Sequence, residues 1–529
     1  MAFNLEQPDY STEKADVRFP TPYAYDNNNP LSNMTSDKPP AHNISEAQKN
    51  LKRGLKGRHM SMIALGGAIG TGLFIGSGGS LTLSGPGGTL LSYCLIGILV
   101  FFIMGALAEM ASFIPVSGSF SDFAVRFVDP AFGFATGWNY WFVWSTVVGA
   151  ELVASGIIVQ YWLPNVHSVV WGLVAAVIIL ALNIIHVKGF GESEFWFALL
   201  KVIAVVVFII VGILVASGVL GGVKYGFTNW KYKDAPFVGG FKGSLLTFVY
   251  AGYSFMGTEC IGVTAGESEN PRRDVPRAIK SLFWRIVLFY ILSIFIMSLI
   301  IKYDDPSLTS ASIKSIAISP FTTVFKLAGL GPAAHVMNAV ILISVVSAGN
   351  AGMYASSRLP YTLYHKGMGP KIMSLTTKSG VPYVSLIFSI SISVILLLLA
   401  LVVKNVYTFL INASGIMGFI TWISITVSHL RFRRAFAVQG YNLSDLPYKV
   451  MFYPYGTYFS LFMIIFVIIG QMYATIDAGT SAYTFISNFI GIPLFVIAFT
   501  FWKIVKKSKL VPLISVDLVT DSVLSNNYV

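Results

Sequence analysis

From residue 60 to about residue 502 the chain is a succession of apolar runs, each long enough to cross a bilayer as a helix. About 20 apolar residues span the hydrocarbon core, and in lipid every backbone N–H and C=O must find its partner within the protein. A chain of this kind is restricted to a bundle of transmembrane helices. The runs are 60–82, 88–112, 133–162, 168–187, 195–220, 243–266, 282–301, 331–357, 382–403, 405–428, 452–474 and 482–502, so the expected fold is an all-α membrane protein with twelve spans. The apolar stretch 316–328 is too short to span and reads as an interfacial helix before the eighth run. Residues 1–50 are polar, rich in Asn, Pro, Ser and Thr, and lack an apolar core for a signal peptide; they read as a disordered cytoplasmic tail. Residues 51–510 form the twelve-helix domain, and 511–529 a short C-terminal tail.

Only 11% of the residues are charged, whereas a soluble surface needs roughly 25%. That excludes a soluble enzyme and a disulfide-stapled secreted domain. Cys94 and Cys260 both lie inside apolar runs, which removes a zinc site or a CxxC redox motif. Hydrolase motifs, Walker loops and metal-ligand spacings are absent, so no metal, cofactor or ATP site is expected. The net charge of +12 could point to nucleic acid or to an anionic partner, and its placement decides. With the N-terminus inside and counting from Lys49, the inner segments carry 23 Lys and Arg and the outer loops 8. By the positive-inside rule both termini are cytoplasmic and the basic excess is topological. No motif supports a nucleic-acid partner; the expected surroundings are a lipid bilayer, with the cell membrane as location.

Glycine breaks the helical pattern twice. The first run contains Gly66-Gly67-Ala68-Ile69-Gly70-Thr71-Gly72, and the sixth contains Gly252 to Glu259 with Gly257-Thr258. The two Gly-Thr pairs lie five spans apart, and five is odd, so the segments enter the membrane from opposite sides. Glycine-interrupted spans in matching positions of inverted halves are the sequence pointer to a transporter binding site. The competing reading is close helix packing through small residues.

Longer motifs carry a family resemblance. RHMSMIAL (58–65) leading into GGAIGTGLFIGSG, Gly85-Pro86-Gly87-Gly88, Glu109-Met110 with PVSGSF (115–120), and Gly257-Thr258-Glu259 followed by AGESENPRRDVPRA (265–278) resemble the amino acid permeases of the amino acid–polyamine–organocation (APC) superfamily. Trp138-Asn139-Tyr140-Trp141, MNAVILISVVSAGNAGMYAS (337–356) and HLRFRRAF (429–436) extend the likeness over residues 51–510, nearest to lysine-specific and fungal-type permeases. The resemblance implies a leucine-transporter-like fold, a 5+5 inverted repeat with helices 1 and 6 broken and two further helices. It also implies proton-coupled symport of L-lysine, with other cationic amino acids as further substrates, by alternating access. A broad-range permease or exchanger and a non-transporting lysine-sensing receptor are the alternatives.

An α-carboxylate at mid-membrane needs donors and an α-ammonium needs acceptors; an unwound helix supplies both. Ala68, Ile69, Gly70, Thr71 and Gly72 in the first span, and Phe255, Gly257 and Thr258 in the sixth, suit that role. Thr71 could instead bond its own helix. Of the acids well inside the spans, Glu109, Glu151 and Glu259, the last sits at the sixth-span break and is expected to meet the substrate ammonium, to take part in proton coupling, or to hold the gate. Its bland reading is a structural acid bonded to backbone or to Lys201. Tyr140, Trp144, Glu151 and Ser155 share one face of the third span, an aromatic pair above an acid, which fits a cation. Trp144 reads equally as an interfacial aromatic. Ser347 and Ser414 are expected to line the substrate site, Glu109 to be structural, and His335 and His429 to be ordinary interfacial histidines. Lys201, the one lysine within a span, is costly to bury charged. The resemblance puts it where sodium-coupled relatives hold their cation, so that its protonation replaces sodium. Three acids facing one lysine make the interior acidic, which suits a basic substrate.

Overall fold

The structure is a computed structural model that describes residues 69–524 apart from 117, 186, 267, 269, 310–318, 378–379, 404–405 and 480. The tail 1–50 and Ala68 lie outside the described residues. Within them the chain is all helix, with no β-strand. A π-helical turn, Gly72–Gly76, leads into α1 (Ser77–Phe113). Then come α2 (Ser119–Phe127), α3 (Pro130–Val159), α4 (Ser168–Ile185), α5 (Val187–Ala216), α6 (Gly240–Phe255) and α7 (Cys260–Ala265). The second half holds α8 (Pro271–Arg285), α9 (Leu292–Ile300), α10 (Pro306–Thr309), α11 (Pro320–Leu327), α12 (Gly331–His365), α13 (Tyr383–Leu398), α14 (Val406–Val438), α15 (Tyr455–Asp477), α16 (Ala482–Phe489) and α17 (Gly491–Lys506).

Eight helical stretches among the described residues are long and apolar enough to cross a membrane. Helix α3 is the hub, packed against α12, α14, α4, α13, α17 and α2. Of the apolar windows, α14 has 89% of its residues buried and α3 83%, against 33% for α13 and 39% for α15. The first pair is therefore core, and the second presents exposed apolar side chains such as Ile387, Ile395, Phe462 and Ile469 to the surroundings, as lipid-facing helices do. The start of α3 follows from its sequence: Asp129 caps it, accepting from the Ala131 N–H at 2.7 Å, and Pro130 supplies the first helical residue without needing a partner for a missing N–H.

The expected runs 60–82 and 88–112 meet within α1, where Gly85 breaks the helix at φ +68°. The groups freed there are taken up by the loop before α6. Val238 N–H donates to Ser84 O at 3.1 Å, and Gly87 N–H donates to Pro236 O at 2.9 Å. A Cβ on Gly85 would lie 2.9 Å from Pro236 O and 2.8 Å from Val238 Cγ2, so only glycine allows both the conformation and the approach. The seventh run starts earlier than expected, because the polar helix α8 continues into it through a π turn, Ile286–Ile291. The interfacial segment appears as α11, capped by Ser319 with Pro320 at its first turn.

One end of the bundle is closed by a cluster around Glu109. Its carboxylate accepts from His429 Nε2 (3.1 Å), Arg433 Nη2 (2.8 Å) and the Val450 N–H (2.8 Å). The structural reading of Glu109 thus has a partner set, whereas the interfacial reading of His429 is corrected. That ring is fully buried, with Thr457 against its other nitrogen at 3.3 Å and Tyr453 edge-on. A charged neighbour in α1 drew the histidine inward, which its position near the end of a run could not reveal. His335 does sit at a helix end, accepting from Trp162 Nε1 at 3.1 Å.

At the same end residues 507–524 lie across several helices. Val511 N–H donates to Val128 O and Val523 N–H to Phe113 O, both at 2.9 Å. Side chains from α2, α8, α14 and the residue after α14 reach its carbonyls: Arg126 to Thr520, Arg272 to Val523, Arg431 to Val511, and Gln439 to Leu513 and Val516. Val516, Leu518 and Ser522 are buried beneath it.

Candidate functional site

The glycine-rich segments meet at the centre. Ile69 and Gly70 are non-helical, and the helix starts at Thr71 in a π turn. Opposite, α6 ends at Phe255; Met256 is extended (ψ 147°), Gly257 adopts φ +96°, and α7 begins at Cys260. Gly72 packs so close to α6 that a Cβ there would sit 2.6 Å from Ser254 Cα, and Gly70 so close to α3 that its Cβ would lie 2.9 Å from Glu151 Oε1. Both glycines are required by approach.

Between these segments and α3 lies a cavity lined by Gly70, Gly72, Trp144, Val147, Glu151, Tyr253 and Met256. Its volume of about 20 Å³ holds one water and no amino acid. Glu151 Oε1 accepts from the Thr71 hydroxyl at 3.0 Å and the Thr71 N–H at 3.4 Å, and Tyr253 OH lies 3.3 Å from the same hydroxyl. The other carboxylate oxygen, Oε2, is buried and has no hydrogen-bond partner among the described residues. A buried acceptor without a donor costs free energy until a donor arrives. Among the described residues, Thr71 therefore directs its hydroxyl across the helix gap.

Glu259 is arranged differently. Both its oxygens accept from the Gly257 N–H, at 3.2 and 3.1 Å, and Tyr140 OH donates to Oε1 at 3.4 Å. The carboxylate holds the broken backbone of the sixth span and does not line the cavity. Thr258 likewise turns its hydroxyl onto Phe255 O at 2.9 Å, and Phe255 is buried against Tyr93 and Tyr290. The aromatic face of α3 is divided. Trp144 borders the cavity edge-on to Tyr140, with ring centroids 5.9 Å apart, while Tyr140 turns to Glu259 and Cys260. Ser155 bonds back to Leu152 O.

Lys201 is wholly buried and within electrostatic reach of Glu151 and Glu194. Glu194, counted from sequence as the start of a span, is itself fully buried. Ser347 donates to its Oε2 at 3.1 Å, so this serine serves Glu194 and lies away from the cavity. Ser414 bonds back to Leu410 O and also lies away from it. Among the residues sequence reading missed are Val147 and Tyr253 on the cavity wall and Tyr407, within electrostatic reach of Glu151. Tyr253 carried a signal, since it precedes the sixth-span break by one helical turn; Tyr407 carried none.

Two helix breaks, a buried acid and an indole thus meet at one small cavity. Residues 59–514 match the family model described as amino acid permease. The chain belongs to the amino acid permease family. The permease is 47% identical over 463 residues to the lysine-specific permease LysP of Escherichia coli (strain K12), covering 86% of this chain and 94% of that protein. It is 44% identical over 479 residues to the histidine permease HisP of Lactococcus lactis subsp. cremoris (strain MG1363), covering 89% and 99%. At the level of fold it resembles the crystal structure of the Eremococcus coleocola manganese transporter in complex with an aromatic bis-isothiourea substituted compound. The TM-score there is 0.51 at 12% identity, over 90% of this chain and 98% of that one. The permease is a multi-pass membrane protein that transports amino acids.

Proposed function

We propose that the permease imports L-lysine, and with it related cationic amino acids, across the plasma membrane by proton symport and alternating access. The observation that carries this reading is the unpartnered Oε2 of Glu151 in the cavity beside Trp144. A substrate ammonium supplies the missing donor, and an indole face adds a cation–π contact. The glycine-bared backbone at Gly70–Gly72 and at Met256–Gly257 receives the α-carboxylate and α-ammonium, with Ile69, Thr71, Phe255 and Thr258 shaping the two breaks. Glu259 and Tyr140 hold the sixth-span break in register and act as a gate. Likeness to a lysine-specific permease supports lysine as the substrate.

For topology we count α1 as two spans at its Gly85 break, and α4, the broken α6–α7 and α16–α17 as one each, which gives twelve in a 5+5 inverted repeat plus two. The 23-to-8 distribution of Lys and Arg supports cytoplasmic termini. For coupling, protonated Lys201 stands where a sodium ion would otherwise tie the broken first span to the bundle, and Glu151 is its partner toward the cavity.

The test is uptake of labelled lysine into proteoliposomes containing the full chain under an imposed pH gradient, with unlabelled arginine, ornithine, histidine and leucine as competitors. Expected are accumulation driven by an acidic exterior and competition by the cationic amino acids ahead of leucine. Replacing Glu151 by Gln leaves a substrate ammonium without its counter-charge, a loss of about 3–5 kcal/mol for a broken buried pair or at least a hundredfold in Vmax/KM. Uptake that needs preloaded internal amino acid identifies an exchanger, and binding without flux a receptor.

A further inference from the structure

Glu194 is a buried carboxylate that the substrate cavity does not explain. Its oxygens accept from Ser347 Oγ and Asn350 Nδ2, both at 3.1 Å, from residues one turn apart on one face of α12. The Asn350 amide is itself oriented, because its Oδ1 accepts from Asn183 Nδ2 of α4 at 2.9 Å. These donors are neutral, and neutral donors do not balance a full charge in a low-dielectric interior. Lys201 lies seven residues along α5, two turns on and therefore on the same face. Its ammonium is in electrostatic contact with Glu194 and Glu151 alike. Among the described residues no other cation faces this place. The buried polar residues of α9 are Ser293 and Ser298, the latter accepting from Trp230 Nε1, Tyr290 of the neighbouring π turn packs on Phe255, and Lys326 of α11 is exposed over the Tyr161 ring. On the cavity side Tyr253 faces Glu151. One ammonium thus serves two carboxylates, one turned to the cavity and one to α12.

We propose that Glu194 is a positioning residue for Lys201, a second seat that takes the ammonium when a proton or a substrate ammonium neutralises Glu151. This rests on the reading that Lys201 and Glu151 couple transport to protons. Neutralising Glu151 removes its pull on Lys201, and the four-methylene stem of lysine gives the ammonium reach. Ser347 and Asn350 keep the second carboxylate in place before the ammonium arrives. Filling of the cavity is thereby read out as a change in the contact between α5 and α12.

The experiment measures pH-dependent lysine uptake from pH 5 to pH 8 in proteoliposomes of the full chain. Glu194→Gln removes the second seat, so the charged form of the cluster is less favoured. The half-maximal pH for uptake moves down by about one unit, with KM changed less than about threefold, and Glu194→Asp restores the original profile. Asn350→Asp, an isosteric change that adds negative charge at the same seat, moves the profile to higher pH and carries the test where Glu194→Gln is not recovered. An unchanged profile in the recovered variant overturns the proposal. If Lys201→Ala also keeps the wild-type profile, the coupling reading fails with it; if Lys201→Ala alone loses the pH dependence, only the role of Glu194 is lost.

Discussion

Two glycines four residues apart in the same π turn, Gly72 and Gly76, separate packing from propensity. A methyl on Gly72 would come to 2.6 Å from Ser254 Cα, 3.0 Å from its Oγ and 3.1 Å from its Cβ. The nearest of these is backbone, so no rotamer change relieves the contact. Ser254 is itself anchored, to Tyr93 OH and to Tyr250 O, both at 2.9 Å. Ordinary contact begins near 3.4 Å, so α6 and the π turn must part by about 0.8 Å, an overpacking that costs about 1–3 kcal/mol. At a methyl on Gly76 the nearest atoms are Thr71 O at 3.7 Å and Tyr250 Cδ1 at 3.9 Å. There alanine fits and gains roughly 0.5–1 kcal/mol of helix propensity. If closure of these segments is a step of the cycle, Gly72→Ala slows lysine uptake by about 10- to 100-fold, while Gly76→Ala transports normally and melts at an equal or higher temperature. The assay is initial uptake in proteoliposomes, with monodispersity on size exclusion as the check on folding. Equal uptake by the two variants would refute the argument that contact between the π turn and α6 closes the cavity.

Two further outcomes follow from charged groups away from the cavity. Glu109→Gln leaves Arg433 buried without its counter-charge and removes the carboxylate that His429 Nε2 meets, a cost of about 3–5 kcal/mol seen as a lower Tm; Glu109→Gln with Arg433→Gln recovers part of it, and a double variant no more stable than the single contradicts the pairing. At Asp129 burial pushes the carboxyl up, but bonds from Lys503, Ser508 and the Ala131 N–H outweigh this and hold it below the usual range. A carboxyl depressed by folding stabilises above its unfolded value near 4 and loses that contribution as pH falls through its folded value. Asp129→Asn, which keeps the cap, therefore costs up to about 1 kcal/mol at pH 7, and its gap to wild type closes below about pH 4; a constant gap from pH 7 to pH 3 speaks against the charge.

What the sequence made legible was whatever depends on run length and on glycine. The run boundaries fall close to most helix ends, and the break at Gly257 lies within the segment that glycine spacing marked. Pairing across helices was not legible. Glu109, Glu151 and Glu259 look alike as acids in apolar runs, yet one meets Arg433 and His429, one meets Thr71, and one turns back on Gly257. No periodicity within a single helix encodes which neighbour faces it. Glu194 was missed for a related reason. The polar residues Lys188, Glu192 and Ser193 before it made it look like the membrane boundary, whereas α5 continues through it and α12 covers it.

The segment 507–524 has a mechanical consequence. It joins the end of α1, the α2–α3 junction, α8 and α14 through hydrogen bonds, each worth about 1 kcal/mol net, that would have to break together for those elements to separate. Thermal motion seldom breaks so many bonds at once. Through these bonds the four elements are held together as one block. On the proposed alternating-access cycle, the glycine turn between α6 and α7 is the hinge, and this strapped block is the frame it works against.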